Sequence, residues 1–408
     1  MARRDPLGVW LYGTRVAELS SSRPGEVVCR YTSEALDRWP LNTPLLSCWL
    51  PLSSRRYQAG VFFGGLLPEG QHRQAMAAEA RVPTYDTFGL LGRYGKDVAG
   101  AAVIAHDDPG DRPGDVVPYD RDELEAEVAS LPERPLGLHD DSELSIAGLQ
   151  DKMLLVDLGG GRWGRPVHGR PSTHILKVED RRYPGMAEME AACLRLAKAA
   201  GLTTVDVQLD TIGGVACLIV SRFDRRIDAG GGVTRLHQED ACQALGRDPD
   251  ANRGRGKYER AGGPALREVA GLLDRYGADP VAELLQLVRV VTFIVVTGNA
   301  DAHGKNLGLL HISPGVVSLA PLYDTVPTVL WPNLRAEAAM AVNGRTRLEA
   351  ITLDDIAEEA RRWTLPADQA REAAVVTAQL LMDAARGQEI PKQLGKAVVA
   401  RGKALLAT

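Results

Sequence analysis

From Leu284 to Val296 the chain is apolar at almost every position, interrupted by Gln286, Arg289 and Thr292. A run of that length predicts a buried helix, although its β-branched residues would also suit a strand. A polar loop follows, Gly298-Asn299-Ala300-Asp301-Ala302-His303-Gly304-Lys305-Asn306. Then Leu307–Ile312 and Val316–Leu319 read as a short hairpin around Pro314-Gly315. Near the start, the alternation over Val9–Leu19 predicts another hairpin, and the apolar run Leu45–Leu52 a further strand. Helical spacing covers Arg73–Ala80 and Thr87–Arg93. Between His106 and Asp115 the chain is rich in Asp, Pro and Gly, which predicts an exposed linker. Strand and glycine signals dominate from about 140 to 225, and helices afterwards. Gly246–Gly263, rich in Gly, Arg and Asp, reads as a mobile loop.

The polar loop carries the chemistry. Asp301 precedes Asn306 by five positions, and a second acid, Asp324, follows the hairpin in Pro321-Leu322-Tyr323-Asp324. That order matches a protein-kinase catalytic centre. The first Asp orients and deprotonates an attacking hydroxyl; the Asn and second Asp hold metal ions against the β- and γ-phosphates. A solvated loop would show the same residues by chance. A polar loop emerging from a fully apolar element is costly, however, unless it is used.

Composition narrows the class. The chain has 408 residues, 45% hydrophobic and 25% charged, as expected of a soluble globular protein. A net charge of −5 argues against unaided binding along nucleic acid, which needs a basic face. No stretch of about 18 residues is free of polar positions, so no membrane span is expected. The N-terminus leads into a strand-like run rather than a signal core. Cys29, Cys48, Cys193, Cys217 and Cys242 are widely spaced among apolar neighbours and have no zinc spacing. They predict buried thiols in a reduced, cytoplasmic protein.

Three features upstream fit the catalytic loop. Leu144–Val156 is a polar, glycine-containing segment opening onto a strand, whose N–H groups can cradle phosphate or simply form a connecting loop. Ser172–Val178 is an apolar strand interrupted by Lys177, matching the strand whose lysine binds α- and β-phosphates. A snorkelling lysine on an edge strand is the alternative. Glu188 or Glu190, on a following helix, could hold that lysine. Leu218–Arg225 ends a strand where an interlobe hinge would present backbone to adenine. A β-rich part before a larger helical part is the order of a kinase's lobes.

These residues resemble the HipA family of serine/threonine kinases, the toxin half of bacterial toxin–antitoxin pairs. Ser145-Ile146-Ala147-Gly148-Leu149-Gln150-Asp151-Lys152 resembles its phosphate loop, and Val220-Ser221-Arg222-Phe223-Asp224-Arg225 its hinge. Leu236–Asp240 and Lys257-Tyr258 with Gly262-Gly263-Pro264 are similar to further family motifs. So are Phe63–Gly70 and Tyr94–Ala101 in the N-terminal part.

The resemblance implies an α+β, two-lobed protein-kinase-like fold with an additional N-terminal α/β subdomain. Its expected parts are a subdomain over 1–105, a linker over 106–140, an N-lobe over 141–225 and a helical C-lobe over 226–408. The same resemblance implies ATP and Mg²⁺ as cofactors. Asp301 would be the base, Asn306 and Asp324 the metal ligands, and Lys177 the phosphate lysine. Ala147, Gly148, Leu149, Gln150, Asp151 and Lys152 would form the phosphate loop, and Ser221, Arg222 and Phe223 the hinge. His303, Gly304 and Lys305 would line the phosphates. Ser145 falls at a regulatory autophosphorylation position. Ser221 replaces a usual Glu and Leu149 a usual Ala; neither removes a catalytic group.

The implied activity is phosphorylation of Ser or Thr in a host protein, within the family a translation enzyme, to restrain growth. A helix-turn-helix, HipB-like antitoxin would neutralise it, with DNA reached only through that partner. Two alternatives stay open. One is a small-molecule acceptor; the other is a chain acting chiefly as corepressor in a DNA-bound antitoxin complex.

Overall fold

The computed structural model describes residues 4–110, 114–134, 136–139, 141–148, 150–387 and 389–408. The chain divides into two compact units. The first comprises residues 1–180 and 210–239, the second 181–209 and 240–408. The division differs from the expected lobes. The helix carrying Glu188 and Glu190 groups with the later helices, and residues 226–239 group with the strands.

In the first unit, β1 (Leu7–Leu11), β2 (Thr14–Ser20), β3 (Val28–Tyr31), β4 (Arg56–Gln58) and β5 (Val103–Ala105) form a sheet in the order β4-β3-β2-β1-β5. The β1–β2 turn places Tyr12 and Gly13 both at positive φ, 51° and 79°. That is the primed turn whose twist matches paired strands. Helices α1 (Gly70–Glu79) and α2 (Thr87–Tyr94) confirm the helical spacing read there.

Leu45–Leu52 is not a strand. Leu45, Leu46, Leu50 and Leu52 are buried in the same core as β1 and β2, but as an irregular segment. Its backbone bonds are local or go to side chains: Leu52 N–H donates to Thr43 O at 2.8 Å, and Cys48 N–H to Glu239 Oε1 at 2.8 Å. An apolar run preceded by Pro44 and interrupted by Pro51 satisfies burial without a ladder.

The expected linker holds real structure: β6 (Asp115–Pro118) and α3 (Arg121–Ser130), the latter started by a reciprocal Asp120–Glu123 capping box. Val128 and Leu131 pack in one core with Met153, Leu155 and Leu176. With β7 (Lys152–Asp157), β8 (Trp163–Val167), β9 (His174–Val178) and β10 (Val215–Ser221), β6 makes a second sheet ordered β10-β9-β7-β8-β6 within this unit.

The second unit contains α4 (Met186–Ala199), α5 (Leu266–Tyr276) and α6 (Pro280–Thr297). The hairpin strands β11 (Gly308–Ser313) and β12 (Val316–Leu319) follow, then β13 (Glu337–Val342). Helices α7 (Leu353–Arg361), α8 (Ala367–Ala384) and α9 (Lys392–Leu406) complete it. Helix α6 is the apolar run. Asp279 caps it, Pro280 opens it, and Gly298 closes it at φ 78°. It packs against α5, α7, α8 and α9, so burial overrides the β preference of its branched residues. Its length and mean hydropathy of 1.7 would suffice to cross a membrane, yet 61% of it is buried inside the fold. Gly246–Gly263 is a series of turns bonded to itself rather than an open loop, with Gly263 N–H on Tyr258 O at 3.0 Å. All five cysteines are buried thiols outside any disulfide, and burial pushes the Cys29 thiol up to about 12.

Candidate active site

The candidate catalytic loop starts where α6 stops. Gly298 takes the left-handed conformation, and a Cβ there would lie 2.3 Å from Val329, so glycine is required twice over. The next residues lock Asp301 from several sides. Its N–H donates to Asn299 Oδ1 at 3.1 Å, and its carbonyl accepts from His303 N–H at 2.8 Å and Asn306 Nδ2 at 3.0 Å. Its carboxylate Oδ1 accepts from the Tyr258 hydroxyl at 2.6 Å.

With Nδ2 turned to Asp301, the Asn306 amide oxygen remains as an acceptor. Asp324 is exposed and sits at φ 51°, a strained position for a side chain other than glycine. Its segment is fixed by Leu322, whose N–H donates to Leu202 O at 2.9 Å and whose carbonyl accepts from Thr203 at 2.7 Å. The Tyr323 hydroxyl donates to Lys305 O at 2.7 Å. An amide oxygen and a carboxylate are hard donors, suited to Mg²⁺ shared with phosphate oxygens. Among the described residues no cluster of three His, Cys, Asp or Glu could hold a metal alone.

His303, Gly304 and Lys305 are buried. Gly304 has a packing role: a Cβ would meet Pro264 at 2.6 Å and Cys242 at 2.8 Å. Its N–H donates to Lys257 O at 3.0 Å, tying the loop to the Lys257-Tyr258 segment.

In the first unit, Lys177 lies on β9, paired on one side with β10 and on the other with β7. It is therefore central, and the edge-strand alternative fails. Lys152 on β7 is directly opposite it, and both are about 8% exposed. Opposed like charges in a sheet repel. Gly148 sits at φ 123°, and a Cβ there would come within 2.1 Å of Lys152 Nζ, which also donates to Ala147 O at 3.0 Å. Gln150 Nε2 donates to Val178 O at 3.0 Å. Leu149 lies outside the described residues.

Three contacts hold this loop to the segment Leu66–His72. The Ser145 hydroxyl donates to Leu66 O at 3.1 Å, Glu69 N–H to Gly148 O at 3.5 Å, and His72 Nε2 meets Asp151 Oδ1 at 2.8 Å. Ser145 is wholly buried, so its hydroxyl satisfies backbone in this state.

The expected hinge residues make bonds within the first unit. Arg222 N–H donates to Thr173 O at 2.9 Å, and its guanidinium to Asp224, Ser172 and Val98 O, so these donors are engaged within the fold. Ser221 ends β10 opposite His174; Phe223 is half-buried. Arg222 belongs instead to a buried hub. Asp97 pairs with Arg225 at 2.9 Å and Asp224 with Arg222 at 2.8 Å and Arg225 at 3.0 Å, while Asp224 also accepts Gly100 N–H at 2.7 Å. Burial pushes the Asp97 carboxyl up, but Arg225, Arg222 and Arg235 outweigh it and hold it below the usual range. Asp224 is held lower still, its burial overcome by Arg222 and Arg225. Burial lowers Arg235 to about 10.

Two family models cover most of the chain. One described as the HipA N-terminal domain matches residues 7–105, and one described as the HipA-like C-terminal domain matches residues 144–385. The chain belongs to the HipA family. A relative from Sinorhizobium fredii, the putative kinase Y4mE, is 38% identical over 93% of this chain and 94% of its own. The serine/threonine-protein kinase toxin HipA of Shewanella oneidensis is 30% identical over 70% of this chain and 67% of its own. The solved complex of Shewanella oneidensis HipA, HipB and operator DNA matches with a TM-score of 0.78 at 25% identity, covering 98% and 96% of the two chains. The HipA likeness carries the kinase-like α+β fold across the whole chain.

Proposed function

We propose that this HipA-family chain is an ATP- and Mg²⁺-dependent serine/threonine protein kinase that phosphorylates a host protein and restrains growth. The observation that carries the reading is the anchored Asp301, whose Oδ2 has no partner among the described residues while its backbone binds Asn306. Asp301 Oδ2 accepts the proton of a Ser or Thr hydroxyl as its oxygen attacks the γ-phosphorus. Lys177 and Lys152, with the backbone around Gly148, bind the phosphates. Asn306 and Asp324 would hold Mg²⁺, which would supply positive charge to the phosphoryl group being transferred.

The Shewanella relative is named a toxin and was solved with HipB and operator DNA, which supports an antitoxin partner here. With a net charge of −5, this chain would reach DNA through that partner. Ser145 is the candidate autophosphorylation site, and a phosphate there would be incompatible with its buried bond to Leu66. Induction of wild type and Asp301→Asn in cells, followed by phosphoproteomics, tests the reading. Growth arrest and new phosphoserine or phosphothreonine in a protein should appear with wild type alone. Phosphate found on a metabolite alone would move the acceptor to small molecules.

A further inference from the structure

Among the described residues, Tyr258 is the side chain that grips the carboxylate of Asp301, and it is neither the proposed base nor a phosphate or metal ligand. Its hydroxyl donates to Oδ1 at 2.6 Å, the short range of a charge-assisted O–H···O⁻ bond. The same distance would suit an acceptor hydroxyl, so the tyrosine either occupies the substrate's place or holds the acid for it.

The packing decides between them. The Tyr258 ring meets His303 edge-on, with centroids 5.2 Å apart, and the Arg335 guanidinium lies 4.3 Å over its centre. Its backbone is held as well: N–H donates to Arg255 O at 2.9 Å, and the carbonyl accepts from Ala261 and Gly263 N–H at 2.9 and 3.0 Å. The adjoining turn is fastened to β13, where Glu259 Oε2 accepts Ala341 N–H at 2.6 Å and Arg260 pairs with Glu337. A ring fixed on its backbone and by two side chains is a support, not a displaceable plug. It engages one carboxylate oxygen and leaves the other free.

We propose that Tyr258 is a positioning residue for phosphoryl transfer: it fixes the Asp301 carboxylate so that Oδ2 alone faces the acceptor hydroxyl. The inference rests on Asp301 acting as the base. Fixing a reacting group within a narrow range of orientations acts on the chemical step, not on nucleotide binding.

The test is a double-mutant cycle on the full chain, reading Mg-ATP hydrolysis and transfer to casein as a generic acceptor. Tyr258→Phe keeps the ring, so a matching thermal melt is expected. Its kcat should fall about 10-fold with the KM for ATP unchanged. In the Asp301→Asn background the same substitution should cost nothing further, because the group it positions is gone. An equal loss in both backgrounds would make Tyr258 merely structural. An unchanged or raised kcat in Tyr258→Phe would also overturn the proposal, the latter by showing a plug. Near-normal turnover of Asp301→Asn alone would instead remove the base assignment, a separate failure.

Discussion

The buried hub around Asp97 and Asp224 and the catalytic loop around Asp301 and Asp324 use the same acid in opposite ways. In the hub each carboxylate is fully buried and gripped by arginines: Asp224 alone accepts from Arg222, Arg225 and Gly100. In the loop, Asp301 gives one oxygen to a phenol and keeps the other open, while Asp324 is exposed on a strained backbone. Saturated carboxylates hold segments far apart in sequence together. Asp301, with one open oxygen on a rigid backbone, is available for chemistry.

The hardest way to break the contrast is to open the hub. Asp224→Asn leaves two buried arginines undercompensated and should cost about 3–5 kcal/mol of stability. Thermal and denaturant melts check this; the fraction that stays folded should retain its turnover. The opposite pattern is expected of Asp301→Asn: an unchanged melt and a loss of about 10²-fold or more in turnover, close to 2.7 kcal/mol of barrier. If that variant melted early and turned over normally, the two aspartates would have exchanged roles.

Lys177→Ala should weaken ATP binding roughly 10-fold, and isothermal titration with Mg-ATP measures it. Arginine should not restore it, its fork being wider than an ammonium. Acid sharpens the comparison further. Asp97 and Asp224 have folded pKa values below their unfolded ones, so their contribution is fully present above about pH 4. It is lost as pH falls through that value toward the folded pKa. Melts between pH 5 and 3 should therefore fall more steeply for wild type than for Asp224→Asn. The smallest effect is expected from Ser145→Ala, about 1 kcal/mol for one buried hydrogen bond. Intact-mass spectrometry after incubation with Mg-ATP should show a phosphate on wild type that this variant lacks.

How legible these regions were in sequence follows from how local their signals are. The build of the candidate catalytic loop was readable because an apolar helix, a glycine stop and the Asp301–Asn306 spacing fall within about thirty residues. The N-terminal hairpin was readable from its alternation. The hub was not: Asp97, Arg222, Asp224, Arg225 and Arg235 have no common period, and Arg222 also stands in the hinge-like motif. Leu45–Leu52 misled because an apolar run states burial without stating conformation. Residues 106–140 misled for the reverse reason, since a linker composition at one end masked the Asp120–Glu123 start of a helix. Tyr258 stood in a motif, but nothing in the sequence connects it to an acid 43 positions later.

Helix α6 carries a consequence for how the chain is made. Three of the helices that cover it, α7, α8 and α9, lie C-terminal to it, the last two beyond about 70 further residues. At roughly 5–20 residues per second, a ribosome leaves this membrane-grade apolar segment without those last two partners for about 4 to 14 seconds. During that interval the nascent chain presents a surface that a chaperone or an insertion machine would bind. Ribosome-bound chains halted before Ala367 should crosslink to such factors through α6, and chains halted well past Leu406 should not.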